Sequence, residues 1–311
     1  MQIFKSYDVR GVYPSELNEE IAYKLGRSIV VYLKAKQLIV GRDIRLSSDS
    51  LSKALINGII EQGCDVVNIG LCSTPMLYFA SLNLPAVMVT ASHLPAEFNG
   101  FKICKKGAIA LSAETGLKDI EQLIADNKFL EVRRKGKISH KTILDDYIKG
   151  ISSFGVGIKK LKVVVDSGNG MEALVAPKLL DNFPVQLVPL FFDFDGRYPN
   201  RSPNPEFADS LIVLQKKVKA EKADIGVGFD SDCDRVFFVD ERGNRVRADH
   251  ALLLLAKIVG KKGDKIVYAS NCSRIVEDEL KQMKLKAIKA RVGHSLMKKQ
   301  CEMIMQLSAE R

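Results

Sequence analysis

The stretch Leu38-Ile39-Val40-Gly41-Arg42-Asp43 is a short, β-branched apolar run that breaks into glycine and charge. Such a run, bounded by a turn signal, reads as a buried strand. The segment from Ser50 to Gln62 follows, with Leu51, Ala54, Leu55, Gly58 and Ile59 at helical spacing on one face. Cys64 to Ile69 reads as a strand again. Thr74 to Leu82 reads as a helix with Pro75 in its first turn, where a missing N–H costs nothing. Ala86 to Thr90 closes the series as a third strand. This β-α-β-α-β rhythm predicts an α/β layered fold.

The rhythm restarts twice. Leu161 to Asp166 is a strand that runs into the turn Gly168-Asn169-Gly170, a helix to about Leu180 and the strand Val185–Leu190. A Pro- and Asn-rich loop covers Asp195 to Glu206. A polar helix from about Asp209 to Glu221 and the strand Asp224–Phe229 follow. The third start lies near Asp249: a helix to Val259, the strand Lys265–Ala269, a helix from Ser273 to Met283, the strand Lys286–Ala290 and a last helix from Ser295. The expected architecture is therefore three related α/β units with mixed sheets sandwiched between helices. Their expected bounds are 1–140, 141–247 and 248–311, with the charged, weakly patterned residues 126–146 joining the first two.

Composition narrows the class. The 311 residues are 46% hydrophobic and 27% charged, which fits globular domains and excludes disorder and collagen. No apolar run is long enough for a membrane span, and the N-terminus has no signal-peptide core. A cytoplasmic location is the expectation. The six cysteines are scattered without a CxxC pair, so reduced thiols are expected rather than a zinc site. The net charge of +10 suits anionic ligands. Dispersed basic residues and the lack of a helix-turn-helix, RNP or zinc-finger signature speak against nucleic acid.

Two segments carry chemistry. Thr90-Ala91-Ser92-His93-Leu94-Pro95-Ala96-Glu97-Phe98-Asn99-Gly100-Phe101-Lys102 begins where a buried strand ends, the place where α/β sheets bind ligands. Ser92 there is a candidate nucleophile; the plain alternative is a Ser/His turn with Asn99-Gly100 as a β-turn. Asp230-Ser231-Asp232-Cys233-Asp234-Arg235 follows another strand. In an extended chain its three carboxylates share one side, with Cys233 on the other. Their mutual repulsion calls for a cation, and all-oxygen ligation suits Mg²⁺ or Ca²⁺. An EF-hand is excluded because Arg235 stands where that loop requires glycine. Arg235 itself is a planar donor fork suited to phosphate. Gly168-Asn169-Gly170 lacks a Walker or dinucleotide pattern and reads as a structural turn. Arg10, Arg42 and Arg45 lie near strand ends and read as phosphate contacts or as surface or interdomain ion pairs. His93 and His294 are two of only four histidines.

Together these segments resemble the α-D-phosphohexomutase family, in its phosphomannomutase/phosphoglucomutase branch. The resemblance runs from Lys5 to the last residue. It rests on Tyr7 to Gly11, Gly41 to Ser48, Thr90 to Gly100, Val164 to Gly170, Asp195 to Asn200, Asp230 to Arg235 and Val292 to Ser295, in the family's order. It implies that Ser92 is the phosphoserine of the resting enzyme. It implies that Asp230, Asp232, Asp234 and the Ser92 phosphate hold one Mg²⁺ per active site. His93, Lys102, Arg10 and Arg235 would surround the transferring phosphoryl group, with Lys102 as general acid/base. His294 and Glu310 would contact the sugar. The implied reaction moves phosphate between O1 and O6 of a hexose phosphate, mannose or glucose, through a hexose 1,6-bisphosphate, with glucose 1,6-bisphosphate as activator. Like charge from the metal and arginines is expected to lower the Lys102 amine.

The chain departs from that pattern in four places. Leu94 replaces an asparagine, Ser231 replaces a glycine, Ala309 replaces the first glycine of the sugar-recognition loop, and that loop stops at Glu310 and Arg311. The third unit is therefore expected to be incomplete and the family's fourth, phosphate-binding domain missing. Turnover is expected to be impaired and solubility poor, because remote binding energy positions the reacting end. Phosphoglucosamine mutase and a non-catalytic sugar-phosphate-binding fragment are the alternatives. No membrane or nucleic-acid partner is expected, and monomer and dimer both stay open.

Overall fold

Val163, Val164 and Val165 show how the sequence builds its layers. Successive strand residues point to opposite faces. Val164 joins Leu214 and Val218 on one face, and Val163 and Val165 join Ala176 on the other. A strand buried on both faces must be apolar throughout, which is the pattern read above.

The computed structural model describes residues 1–129, 131–293, 297, 300 and 301. The chain forms two compact units, Met1–Asn244 and Arg245–Arg311. The first begins with β1 (Val9–Val12), α1 (Glu19–Leu33), β2 (Gln37–Arg42), α2 (Ser48–Glu61), β3 (Asp65–Leu71), α3 (Thr74–Ser81), β4 (Ala86–Val89), β5 (Phe98–Lys105), β6 (Ile109–Ala110), α4 (Lys118–Ala125) and β7 (Ile138–His140), whose strands make a mixed sheet. Its order is β1-β5-β4-β2-β3-β7, with β6 on β5. Leu25 of α1, Leu55 of α2 and Ile120 of α4 cover one face. Met76 and Leu77 of α3, with Ile148 of α5 (Leu144–Ser152), cover the other.

The same unit continues through β8 (Leu161–Asp166), α6 (Glu172–Leu180), β9 (Val185–Leu190), α7 (Ile212–Glu221), β10 (Ile225–Phe229) and β11 (Val236–Val239). Their sheet order is β11-β10-β8-β9. β8 pairs in parallel with β9 and β10, and β11 is antiparallel to β10. The first sheet holds the same path: β2 is parallel to β3 and β4, and β5 is antiparallel to β4. One β-α-β-α-β-β topology therefore occurs twice, and each copy ends in a β-hairpin. The second compact unit carries α8 (Ala248–Val259), β12 (Lys265–Ala269), α9 (Arg274–Gln282) and β13 (Lys286–Ala290), with β12 and β13 parallel. Leu253 and Ala256 of α8 meet Val276 and Leu280 of α9 in its core.

Local signals account for the helix starts. The Asn18 side chain accepts from Ile21 N, and Glu19 and Glu20 sit at the positive end of α1. Ser73 caps α3, and Pro75 lies in its first turn as expected. Gly26 of α1 and Gly58 of α2 let these two helices cross closely. A Cβ on Gly26 would lie 2.3 Å from Leu55 O, and one on Gly58 2.0 Å from Tyr23 O.

Three expectations need correcting. Asn99-Gly100 is no turn: both lie inside β5, opposite Gly11 and Arg10 of β1. A Cβ at Gly100 would sit 2.2 Å from Val9 O, so the glycine serves close strand approach. Residues 126–146 are more than a joint, since they contain β7 and the start of α5. The polar helix α7 begins at Ile212, because residues 209–211 are spent on a turn.

Candidate functional site

The two hairpin loops at equivalent places, β4 to β5 and β10 to β11, meet inside the first compact unit. Ser92 lies in the first loop, 2% exposed, with φ +53. Its Oγ donates to Asp230 Oδ2 at 2.7 Å, far inside the ~10 Å that a shared cation centre tolerates. Its N–H donates to Thr90 Oγ1 at 2.9 Å. Asp230 and Asp232 are fully buried. The aspartate loop is coiled rather than extended: Cys233 has φ +64, and Asp230 Oδ1 accepts from the N–H groups of Asp234 and Arg235. Strand alternation therefore does not set the carboxylate positions; the turn does.

Asp232 links the loops. Its Oδ2 accepts from Thr74 Oγ1 at 2.6 Å, at the start of α3, and from Lys102 Nζ at 2.7 Å. Lys102 comes from β5 and also donates to Asp234 Oδ2 at 2.8 Å. Burial alone would lower the lysine, but the Asp232 and Asp234 charges outweigh it and hold the ammonium well above the usual value. This reverses the lowered amine expected from neighbouring cations, because the nearest groups are carboxylates. Burial and the Asp232 charge raise Asp230. For Asp232 burial is outweighed by the Lys102 charge and hydrogen bond, and the carboxylate stays ionised. His93 Nδ1 lies 3.4 Å from Ser92 Oγ. Burial, with Arg235 and Arg10, pushes its pKa down to about 4, so the imidazole is neutral at pH 7.

The charged rim is placed by the same elements. Arg10 on β1 donates to Asp8 Oδ2 at 2.6 Å. Arg235 is partly exposed, with Nη1 3.7 Å from Glu206 Oε2. His294 and Glu310 lie outside the described residues.

The donor set fits a hard cation. Asp232 Oδ1 is buried without a protein hydrogen-bond partner, and the surrounding donors are oxygens. Among the described residues no three His, Cys, Asp or Glu side chains already form a ligand cluster. Lys102 Nζ, spanning Asp232 and Asp234, supplies the positive charge there.

Four contributing residues were not singled out for these roles. Thr74 carries only a helix-start signal. Ser231 donates through Oγ to Ser92 O at 2.7 Å. Arg45, read as a surface or interdomain ion pair or a phosphate contact, is fully buried and donates to Ser92 O. Glu172 lies on α6 behind the aspartate loop, in a cavity of 260 Å³ shared with Cys233 and Arg235. Burial raises its pKa to about 7, with the Cys233 thiol as its hydrogen-bond partner. Its signal, a Glu two residues after a Gly-Asn-Gly turn, is indistinguishable from a helix start.

The chain is similar to known proteins. Residues 1–131 match the model of phosphoglucomutase/phosphomannomutase alpha/beta/alpha domain I, and residues 145–243 match that of domain II. A phosphomannomutase of Vibrio cholerae is 35% identical over 95% of this chain and 67% of its own length. A phosphomannomutase/phosphoglucomutase of Pseudomonas putida is 39% identical over 96% of this chain and 65% of its own. The crystal structure of a phosphoglucomutase/phosphomannomutase family protein from Burkholderia thailandensis superposes with a TM-score of 0.90 at 31% identity, covering 97% of this chain and 68% of that one. The chain thus spans about two thirds of the length of these relatives. With both domain models matched in order, on the same two hairpins that carry Ser92 and the three aspartates, the chain belongs to the phosphoglucomutase/phosphomannomutase family.

Proposed function

We propose that this chain carries the phosphotransfer centre of a hexose-phosphate mutase, acting on mannose or glucose phosphates, with Ser92 as the phosphate carrier. The observation that carries this reading is the Ser92 Oγ–Asp230 Oδ2 hydrogen bond of 2.7 Å between two hairpin loops, with Lys102 alongside. When the carrier is loaded from a hexose 1,6-bisphosphate, Ser92 Oγ attacks phosphorus and its proton passes to Asp230. The phosphorus–oxygen bond to the sugar breaks, and the protonated Lys102 gives the departing sugar oxygen its proton. In the return step the neutral Lys102 amine takes the proton of the other sugar hydroxyl as that oxygen attacks the phosphoserine; the bond from phosphorus to Ser92 Oγ breaks, and Asp230 gives its proton back to the departing Oγ. His93, neutral, orients the serine; Arg10 and Arg235 stabilise charge on the phosphoryl oxygens.

Asp230, Asp232 and Asp234, with the oxygen of Ser92, would hold Mg²⁺, which supplies charge neutralisation when bound. The mutase reading takes glucose 1,6-bisphosphate as activator. It places His294 and Glu310 at the sugar. Three units, 1–140, 141–247 and 248–311, are the domain reading that goes with it.

The test is incubation with Mg²⁺ and glucose 1,6-bisphosphate, followed by phosphopeptide mapping. Phosphate on Ser92, absent from Ser92→Ala, is expected; an unmodified Ser92 sinks the carrier role for this chain. Lys102→Ala should slow loading by about 10²–10⁴-fold. A wild-type rate would remove Lys102 from the proton transfer.

A further inference from the structure

We infer that Arg45 is a positioning residue for Ser92, a buried guanidinium that fixes the serine loop in the one shape that aims Oγ at Asp230. The inference deepens the phosphoserine reading and rests on it. The Arg45 side chain is completely buried. Nη1 donates to Pro95 O at 2.6 Å and Phe98 O at 2.9 Å. Nη2 donates to Ser92 O at 2.7 Å and Leu94 O at 2.6 Å. All four terminal N–H bonds thus end on carbonyls between residues 92 and 98. Nε faces Asp43 Oδ2 at 3.3 Å.

The guanidinium is itself held. Asp43 Oδ1 accepts from Arg45 N at 3.0 Å and from Ser48 Oγ at 2.5 Å. Asn99 Nδ2, at the far end of the serine loop, donates to Ser47 and Ser48 Oγ. The Tyr198 ring covers Arg45 with its centroid 5.2 Å from Cζ. Gly196, in the same loop, lies so close that a Cβ would be 2.5 Å from Ile44 O. The loop of the second sheet thereby shuts water away from the grip.

The grip answers a conformational problem. Ser92 has φ +53, a left-handed state that is strained for a non-glycine residue. Left to itself the serine would relax toward negative φ, and Oγ would swing away from Asp230. Four carbonyls pinned to one rigid plane prevent this. A lysine carries the same charge to Asp43 but offers three hydrogens from a single point, with no fork to span four carbonyls. Arg45→Lys therefore separates the grip from the charge.

The experiment uses the full chain as wild type, Arg45→Lys and Tyr198→Leu. It follows Ser92 phosphorylation from glucose 1,6-bisphosphate with Mg²⁺ at several donor concentrations, and amide exchange across the molecule. Arg45→Lys should slow maximal loading at least about tenfold, with the half-saturating donor concentration within about twofold of wild type. Amides 92–98 should exchange at least about tenfold faster, while those of β8 and β9 keep their wild-type rates. Tyr198→Leu, which admits water to the grip, should shift both readouts the same way by about threefold. Loading within about twofold of wild type overturns the proposal, and so does acceleration shared equally by β8 and β9. If wild type takes no phosphate, the carrier reading fails, and exchange alone then decides: unchanged 92–98 rates in Arg45→Lys overturn the grip. Should Arg45→Lys not fold, unchanged loading and exchange in Tyr198→Leu overturn it.

Discussion

The serine loop and the aspartate loop occupy the same place in two copies of one topology, and each is served by a buried Asp–Arg pair at the end of the first strand of its repeat. Asp43 follows β2 and pairs with Arg45; Asp166 ends β8 and pairs with Arg201. The pairs are used differently. Arg45 gives all four terminal N–H bonds to the serine loop. Arg201 spends Nε on Asp166, at 2.9 Å, and reaches the aspartate loop only at its entrance, through Phe229 O at 2.7 Å. Beyond that point the aspartate loop is held by two outside amides, Met171 N–H on Ser231 O and Thr74 N–H on Asp232 O, and by its own carboxylates, with Asp230 accepting from two loop amides and Lys102 bridging the next two. One loop is clamped along its length by a single guanidinium; the other depends more on charge. A cation should therefore alter the order of residues 230–235 and leave 92–98 unchanged.

The largest test of this contrast is Arg201→Met. It leaves the Asp166 carboxylate buried and uncompensated, and should cost about 3–5 kcal/mol in urea unfolding. A cost below ~1 kcal/mol would break the comparison, since Arg201 would then not be holding its repeat together. Next comes Glu172, beneath the aspartate loop and only 7% exposed. Its pKa rises on folding from 4.5 to about 7, so the folded protein holds a proton that the unfolded chain releases. Stability should fall as pH rises through that window and stay low above it. At ~1.4 kcal/mol per unit, Glu172→Gln should gain up to ~3 kcal/mol at pH 8 and nothing below about pH 4.5. A pH-independent gain would point to packing instead. Thr74→Val removes a hydroxyl donor from buried Asp232 and should cost about 2 kcal/mol. The same loss on adding saturating Mg²⁺ would show that Thr74 acts on the fold rather than on the loop's charge. The smallest expected effect is that of Ser231→Ala, about 1 kcal/mol, because Arg45 still holds the Ser92 carbonyl. A larger loss would mean that the serine loop is clamped equally from both repeats.

The sequence and the structure agree best where information is local. Strands such as Ala86–Val89 and Val163–Val165 are legible because burial on both faces demands continuous apolar residues. Ser92 and the three aspartates stand out because several reactive side chains cluster at strand ends. The rhythm that begins at Leu38 says nothing of α1, although Asn18, Glu19 and Glu20 are helix-start signals. Asn99-Gly100 misleads because a turn dipeptide is overridden by pairing with β1. Arg45 is unreadable because its carbonyl partners lie about fifty residues away and carbonyls have no residue identity. Lys102 misleads for a related reason: its charge state depends on Asp232 and Asp234, more than a hundred residues away.

The crossing of α1 and α2 has a consequence for how this chain can vary. At Gly26 and Gly58 the atoms that an added Cβ would meet belong to backbone, which no rotamer change can move aside. Every base change that replaces either glycine puts at least a methyl group into that space. In a library of all single substitutions, the two helices should therefore show two columns facing each other, 32 residues apart in the text, that refuse even alanine, set among core positions such as Leu25 and Leu55 that still accept other apolar residues. A lineage could drift along the exposed faces of both helices and still carry these two letters unchanged.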